Sequence, residues 1–238
     1  MIEIYRKNSI EKWFAVKIEN KDAAKMVLYY QAPKKHPLFI AKPFYTLHID
    51  LYSNFFDDFA KKTKYEIGRA QREGVLCKKL ENLTIKEYLL YYNAFSKVKN
   101  LTLLDERSLG YYWDNMSIWA AYKGDLQLVV HSYLCDEKRI RLFHSISLFR
   151  VHDLPKNFVG WANRLLHYEV MRDAQGRGIA IYDVGGLTTL DEKNMNGIDR
   201  FKMGFGGSKV TEYTLYSPIL WSALRLKGIY DKVSHQAR

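Results

Sequence analysis

Cysteine is scarce in this chain: 238 residues hold two thiols, Cys77 and Cys135. Neither has a second ligand at finger-like spacing, which argues against a metal site. Each sits in an apolar, strand-like run, VLCKKL or VVHSYLC, as reduced and buried thiols of a cytosolic protein do. No apolar run approaches the roughly 20 residues that span a bilayer. The opening MIEIYRKNSIEKWF lacks the apolar core of a signal peptide. A cytoplasmic protein is the expectation, with peripheral contact at the inner face of the membrane left open. Acidic side chains are the minority, 26 against 37 basic, for a net charge of +11. That excess favours anionic partners (RNA, nucleotide cofactors, phospholipid headgroups, diphosphate-linked substrates) without choosing among them. Internal repeats, low-complexity tracts and long linkers are missing as well.

What is present is a full core. Hydrophobic residues make up 47% of the chain, which excludes disorder. Five Trp, eighteen Tyr and twelve Phe supply rings for that core and for the lining of a pocket. The length fits one large domain, or one domain plus a small lobe.

The front of the chain reads as a lead-in lobe over residues 1–50. Ser9 has N-cap chemistry for a short helix through Trp13. Ala24–Tyr30 and Phe44–Leu51 read as strands. A helix is expected from Asn54 to Gly74, capped by Asn54 and stopped by the glycine. After a strand at Val75–Leu80, Thr84–Val98 carries the T-x-x-E capping box, with Thr84 and Glu87 as its ends. Ser117–Tyr122, Leu126–Cys135 and Arg139–Leu148 are separated by tight breaks and predict an antiparallel meander. A long helix over Phe158–Ala174, a strand at Ile179–Val184, a short helical segment within Asn196–Phe205, a strand at Lys209–Tyr216 and a last helix from Pro218 complete the order. Crossovers late in an antiparallel sheet indicate mixed α/β architecture.

Three stretches stand out: Ile49-Asp50-Leu51 followed by Lys64–Val75 (KYEIGRAQREGV), Tyr182-Asp183-Val184-Gly185-Gly186, and Gly197–Gly207 (GIDRFKMGFGG). Their patterns resemble a strand ending in Asp-Leu before a basic R-Y-x-I-R-x-A-x-x-x-G-V helix, a Y-D-x-x-G turn and an FK-x-x-F-G-G segment. Together they resemble the GNAT acyltransferase superfamily, and within it the Fem-type branch of aminoacyltransferases that build peptidoglycan cross-bridges, with their single-domain relatives. The likeness covers about residues 44–218. Lys64 stands where that branch usually has Arg, and Gly68 replaces a second basic residue. Many Fem-type enzymes carry two such domains, whereas this chain has room for one plus the lobe.

The resemblance implies an α/β (α+β) fold with a GNAT-like, mostly antiparallel central sheet flanked by helices in residues 51–238. It also implies transfer of an acyl or aminoacyl group from acyl-CoA or aminoacyl-tRNA to an amine of a cell-envelope glycan or peptidoglycan precursor, with no metal. Lys202 would stabilise the oxyanion of the tetrahedral intermediate or a phosphate, between Phe201 and Phe205. Asp183 would orient the incoming amine or take its proton; capping a strand-end turn is its other reading. Arg200 is placed with the donor, and Tyr182, Gly185 and Arg69 with the acceptor. His144 is either a general base or a hydrogen-bonded core histidine. The glycine-rich pyrophosphate loop of ordinary GNAT enzymes has no counterpart in Leu148–Asn157, although Arg150, Lys156 and the first amides of the long helix could still bind phosphate. Lys61, Lys62, Lys64, Arg69 and Arg72 form a basic helix that contacts a phosphate-bearing donor or a lipid-diphosphate acceptor, or is simply solvated. The competing class is a non-catalytic GNAT-like module that binds RNA, tRNA included, or an anionic membrane-associated partner.

Overall fold

The computed structural model describes residues 1–149, 154–226 and 228. Among these the chain forms, in order, β1 (Ile2–Tyr5), β2 (Ile10–Trp13), β3 (Val27–Ala32), β4 (Ile40–Asp50), α1 (Lys61–Arg72), β5 (Val75–Lys79), α2 (Ile85–Lys99) and α3 (Glu106–Gly110). There follow β6 (Met116–Lys123), β7 (Leu126–Cys135), β8 (Arg139–Ser147), α4 (Lys156–Gly176), β9 (Ile181–Leu187), α5 (Gly197–Met203), β10 (Ser208–Tyr216) and α6 (Pro218–Leu226). The architecture is the expected one: mixed α/β, with mostly antiparallel ladders flanked by helices. No described helix is long and apolar enough to cross a membrane. The chain divides into two compact units: Met1–His48 with Val184–Met203 and the stretch from Ser208 on, and Ile49–Asp183 with Gly204–Gly207.

In the first unit β1 pairs antiparallel with β2, β2 parallel with β3, and β10 lies antiparallel between β3 and β4. The β10–β4 ladder is nine residue pairs long, from Ser208↔His48 to Tyr216↔Ile40. Val27, Tyr29, Ala32, Phe39 and Leu215 form its core. The helix expected at Ser9–Trp13 is instead strand β2. Four residues are too few to repay helix nucleation, and ladders on both sides satisfy their backbone groups. Beneath these strands the carboxylate of Asp22 accepts from Lys12 Nζ at 2.8 Å and from the Tyr29 hydroxyl at 2.6 Å. Burial alone would raise the Asp22 pKa, but the Lys12 and Tyr29 hydrogen bonds outweigh it and hold it below the usual value. A carboxylate depressed in the folded state contributes stability above its unfolded pKa and loses it as pH falls through the folded one. We therefore expect the Tm to fall below about pH 4, and the fall to be shallower in Asp22→Asn. Parallel acid limbs for the two proteins in a Tm–pH series would contradict this.

The second unit is built on the meander β5-β6-β7-β8, antiparallel throughout, with β9 joined parallel to β8. Side-chain alternation divides its two faces. Ile118, Ala120, Val130, Ile146 and Leu148 face α2 and α3, where Tyr88, Leu89 and Leu109 complete a core cluster. The opposite face packs against α4, which also lies against α1. The α2 capping box forms as read: Thr84 Oγ1 accepts from the Glu87 amide at 3.2 Å, and the Glu87 carboxylate accepts from the Thr84 amide at 2.8 Å. The helix expected from Asn54 begins only at Lys61. Asn54 Nδ2 donates to the Asp57 carboxylate, and amides 57, 58 and 59 close turns onto carbonyls 54, 55 and 56, so a local side-chain turn wins over an early helix start. Gly74, with φ +73°, ends α1 as expected.

Gly206 is held for a steric reason. It has φ +69°, and a Cβ there would sit 2.5 Å from the Asp58 carbonyl oxygen. Gly206→Ala should cost about 2 kcal/mol or more, because strained φ and overlap with backbone add. A thermal-unfolding midpoint equal to wild type would show that this loop relaxes freely.

Candidate active site

In the first unit, the site is built on the C-terminal half of β9 and on α5. The strand continues through the glycine pair rather than ending before it. Gly185 takes φ +85°, and the hydroxyl of Thr46 on β4 donates to its carbonyl at 3.0 Å. A Cβ on Gly186 would meet the Phe44 ring at 3.2 Å, tight enough to displace the ring. The small residues thus serve a bulge and a close approach. The Lys202 ammonium donates to the Gly186 carbonyl at 2.5 Å, which fixes its half-buried side chain on the strand. α5 is itself pinned at its start. Asn196 Oδ1 accepts from the amides of Ile198 and Asp199 at 2.8 and 2.9 Å, and the buried Asp199 carboxylate accepts from the Thr188 amide and, more closely, from its hydroxyl. In the FK segment, therefore, Lys202 is anchored at both the helix and the tip of its side chain. Phe201 is half-buried and Arg200 is exposed.

Asp183 belongs to the second unit, at the last residue of the β8–β9 ladder. That ladder is three pairs long: Arg139↔Ile181, Ile140↔Tyr182 and Arg141↔Asp183. β8 runs six residues farther, to Ser147. Asp183 is 0% exposed, and its carboxylate accepts a close hydrogen bond from the Arg139 guanidinium, with Arg141 Nε 3.8 Å away. The sequence reading gave Arg139 and Arg141 no role. Their alternation on β8 puts both side chains on one face of the strand, Arg141 directly opposite Asp183 and Arg139 opposite Ile181, and that was the available signal.

Tyr182 points into the α4 face. Its hydroxyl contacts His167 Nδ1 at 2.5 Å and the Tyr133 hydroxyl at 3.1 Å. Phe205 is fully buried and packs against His167 and Phe59, with ring centroids 4.8 and 5.3 Å apart, so it walls the interior of this unit. His144 lies on the α2 face, its Nδ1 2.9 Å from the Tyr88 hydroxyl and 3.1 Å from Ser132 Oγ. Burial pushes its pKa down to about 3, with Arg141 nearby acting in the same direction, so the ring is neutral at physiological pH. Arg69 on α1 pairs with Glu73 at 2.8 Å and lies over the Trp161 ring at 5.4 Å. Lys156 is exposed at the start of α4, a helix that begins after Pro155 without a side-chain cap. Arg150 lies outside the described residues. An open cavity of about 300 Å³ is lined by Cys77, Trp119, Glu169, Arg172 and Asp173, none of them among the expected site residues. Burial drives the Cys77 pKa up to about 12, so that thiol is no nucleophile.

No family model matches the chain, and no curated protein resembles it in sequence. Solved structures do resemble it. The C-terminal domain (DUF2156) assigned to a lysylphosphatidylglycerol synthetase of Agrobacterium fabrum superposes with a TM-score of 0.60 at 13% identity, covering 94% of this chain and 82% of that one. FemX follows at 0.59 and 10% identity, covering 83% and 68%. The lysylphosphatidylglycerol synthetase of Bacillus licheniformis gives 0.56 at 12%, covering 82% and 69%. At such identities the likeness is one of fold, and the fold of this chain is the one it shares with FemX and the lysylphosphatidylglycerol synthetase structures.

Proposed function

We propose that the protein is an acyltransferase that moves an acyl or aminoacyl group from acyl-CoA or aminoacyl-tRNA to an amine of a cell-envelope glycan or peptidoglycan precursor. The observation that carries this reading is the Lys202 ammonium, held half-buried on the Gly186 carbonyl in a Fem-like fold. Direct attack of an amine on the donor carbonyl creates an oxyanion, and a cation fixed before the reaction stabilises that charge without reorganising. The β8 edge beyond Arg141 supports the same reading: strand N–H and C=O groups past the end of a ladder suit an extended, amide-bearing donor arm. Lys156 and the first amides of α4 supply positive charge for donor phosphates. Asp183 orients Arg139 and Arg141 on the acceptor side. As part of this proposal Phe201 and Arg200 lie on the donor side and Gly185, His144 and Arg69 on the acceptor side, while the fully buried Tyr182 acts there only through the groups it hydrogen-bonds.

The proposal leaves two donors, and equilibrium binding separates them. Titration with acetyl-CoA, a long-chain acyl-CoA and aminoacyl-tRNA should give saturable binding of one class at moderate salt. Binding of tRNA that does not depend on its aminoacyl group, and that vanishes as salt rises, would instead favour the RNA-binding module, with the exposed cations of α1 as its surface. Saturable binding of none of them would remove the transferase reading.

A further inference from the structure

A line of polar side chains crosses the interior of the second unit between the sheet and α4. On β8, Ser145 stands opposite His131 of β7, and its Oγ lies 3.0 Å from His131 Nε2. Asn163 Oδ1, on α4, lies 2.9 Å from the same nitrogen. His131 Nδ1 is 2.7 Å from the Tyr133 hydroxyl, which is 3.1 Å from that of Tyr182, which in turn is 2.5 Å from His167 Nδ1. His131, Tyr133 and Tyr182 are 0% exposed and His167 1%. Four such groups in a buried interior are costly unless each is paired, and each has a partner in this line. Tyr182 donates to Tyr133. With the Tyr133 hydroxyl donating to His131 Nδ1, the imidazole carries its proton on Nε2, facing Asn163 and Ser145.

The line reaches half-buried positions at Asn163 on α4 and at Ser145 on β8, and of these two only Ser145 carries a hydroxyl. Leu142, Phe143, His144 and Ser145 are all half-buried, whereas Arg139–Arg141 before them are buried. This opening begins where the pairing of β8 with β9 ends. Ser145 is therefore the hydroxyl at which the buried line meets the β8 edge assigned to the donor.

We propose that Ser145 is the proton shuttle of the transfer reaction, with His131, Tyr133, Tyr182 and His167 as positioning residues behind it; this rests on the acyltransferase reading. As the amine nitrogen bonds to the donor carbonyl carbon, its proton passes to Ser145 Oγ. The Ser145 hydroxyl proton passes to the departing sulfur of CoA or oxygen of tRNA as that carbon–sulfur or carbon–oxygen bond breaks. The serine ends as it began, and the proton lost by the amine is the one gained by the leaving group. His131 takes no proton in this step. Burial holds its pKa down at about 3, so it remains a neutral donor that fixes the serine oxygen.

The test uses the full-length protein with whichever donor it binds and a primary-amine acceptor. Ser145→Ala should lower kcat by about 100-fold with KM within about threefold, and Ser145→Thr should restore most of the rate because it keeps the hydroxyl. Tyr133→Phe should lower kcat by about tenfold and shift the His131 ring in ¹⁵N NMR away from the Nε2–H tautomer, a change that a packing role would not produce. Transfer by wild type with an unchanged Ser145→Ala rate, or an unmoved His131 tautomer in Tyr133→Phe, would overturn the shuttle and leave the acyltransferase standing. No transfer by wild type from any donor would remove both.

Discussion

Lys202→Ala is expected to lower kcat at least about tenfold, or about 1.4 kcal/mol of transition-state stabilisation, with a smaller change in KM. The ammonium is held on the Gly186 carbonyl by α5, whose first turn is fixed by Asn196 and by the Asp199–Thr188 pair. A charge positioned this way acts on an oxyanion that exists only as the amine attacks, so its loss appears in kcat. Lys202→Arg should recover little, because a planar guanidinium cannot occupy the position of a compact ammonium on one carbonyl. Stopped or steady-state turnover on folded variants decides this. A wild-type rate in Lys202→Ala would end the assignment of that residue.

Asp183→Ala should have the largest effect on stability, about 3–5 kcal/mol. The carboxylate is 0% exposed, and the nearby guanidinium groups of Arg139 and Arg141 are themselves buried. Removing it takes one buried counter-charge from two buried cations, which costs far more than the pair contributes by forming. Adding Arg139→Met to Asp183→Ala should recover part of the loss, a non-additivity readable in urea unfolding. A loss below about 1 kcal/mol, the range of exposed pairs, would mean that water reaches this carboxylate. The turnover of whatever Asp183→Asn protein folds then measures its part in orienting the acceptor, separately from its part in holding the sheet.

Much of the fold was legible from local signals. The capping box at Thr84 and Glu87, the tight breaks of the meander and the glycine stop at Gly74 are chemistry within a few residues, and they stand as read. The misreadings have a common cause in contacts distant along the chain. β2 is a strand because β1 and β3 flank it, and no local property of Ser9–Trp13 reports that. β9 runs through Gly185 and Gly186 where the glycines suggested a stop, because Thr46 and Phe44 of β4 meet the glycines there. At the site, Lys202 and Asp183 were visible as motif residues, but their partners were not. The line from Ser145 to His167 joins three strands and a helix, so only the two-residue step from His131 to Tyr133 and the four-residue step from Asn163 to His167 hinted at it.

The most direct measurement of the central claim is intact-mass analysis of amine acceptors incubated with the protein and each of acetyl-CoA, a long-chain acyl-CoA and aminoacyl-tRNA. The acceptors are an amino sugar and a lysine-containing peptidoglycan-type peptide. The account predicts that one acceptor gains the mass of the donor's acyl or aminoacyl group, and that Lys202→Ala suppresses the gain. Donor binding with no mass transferred to any amine would contradict it and leave a binding module in place of an enzyme.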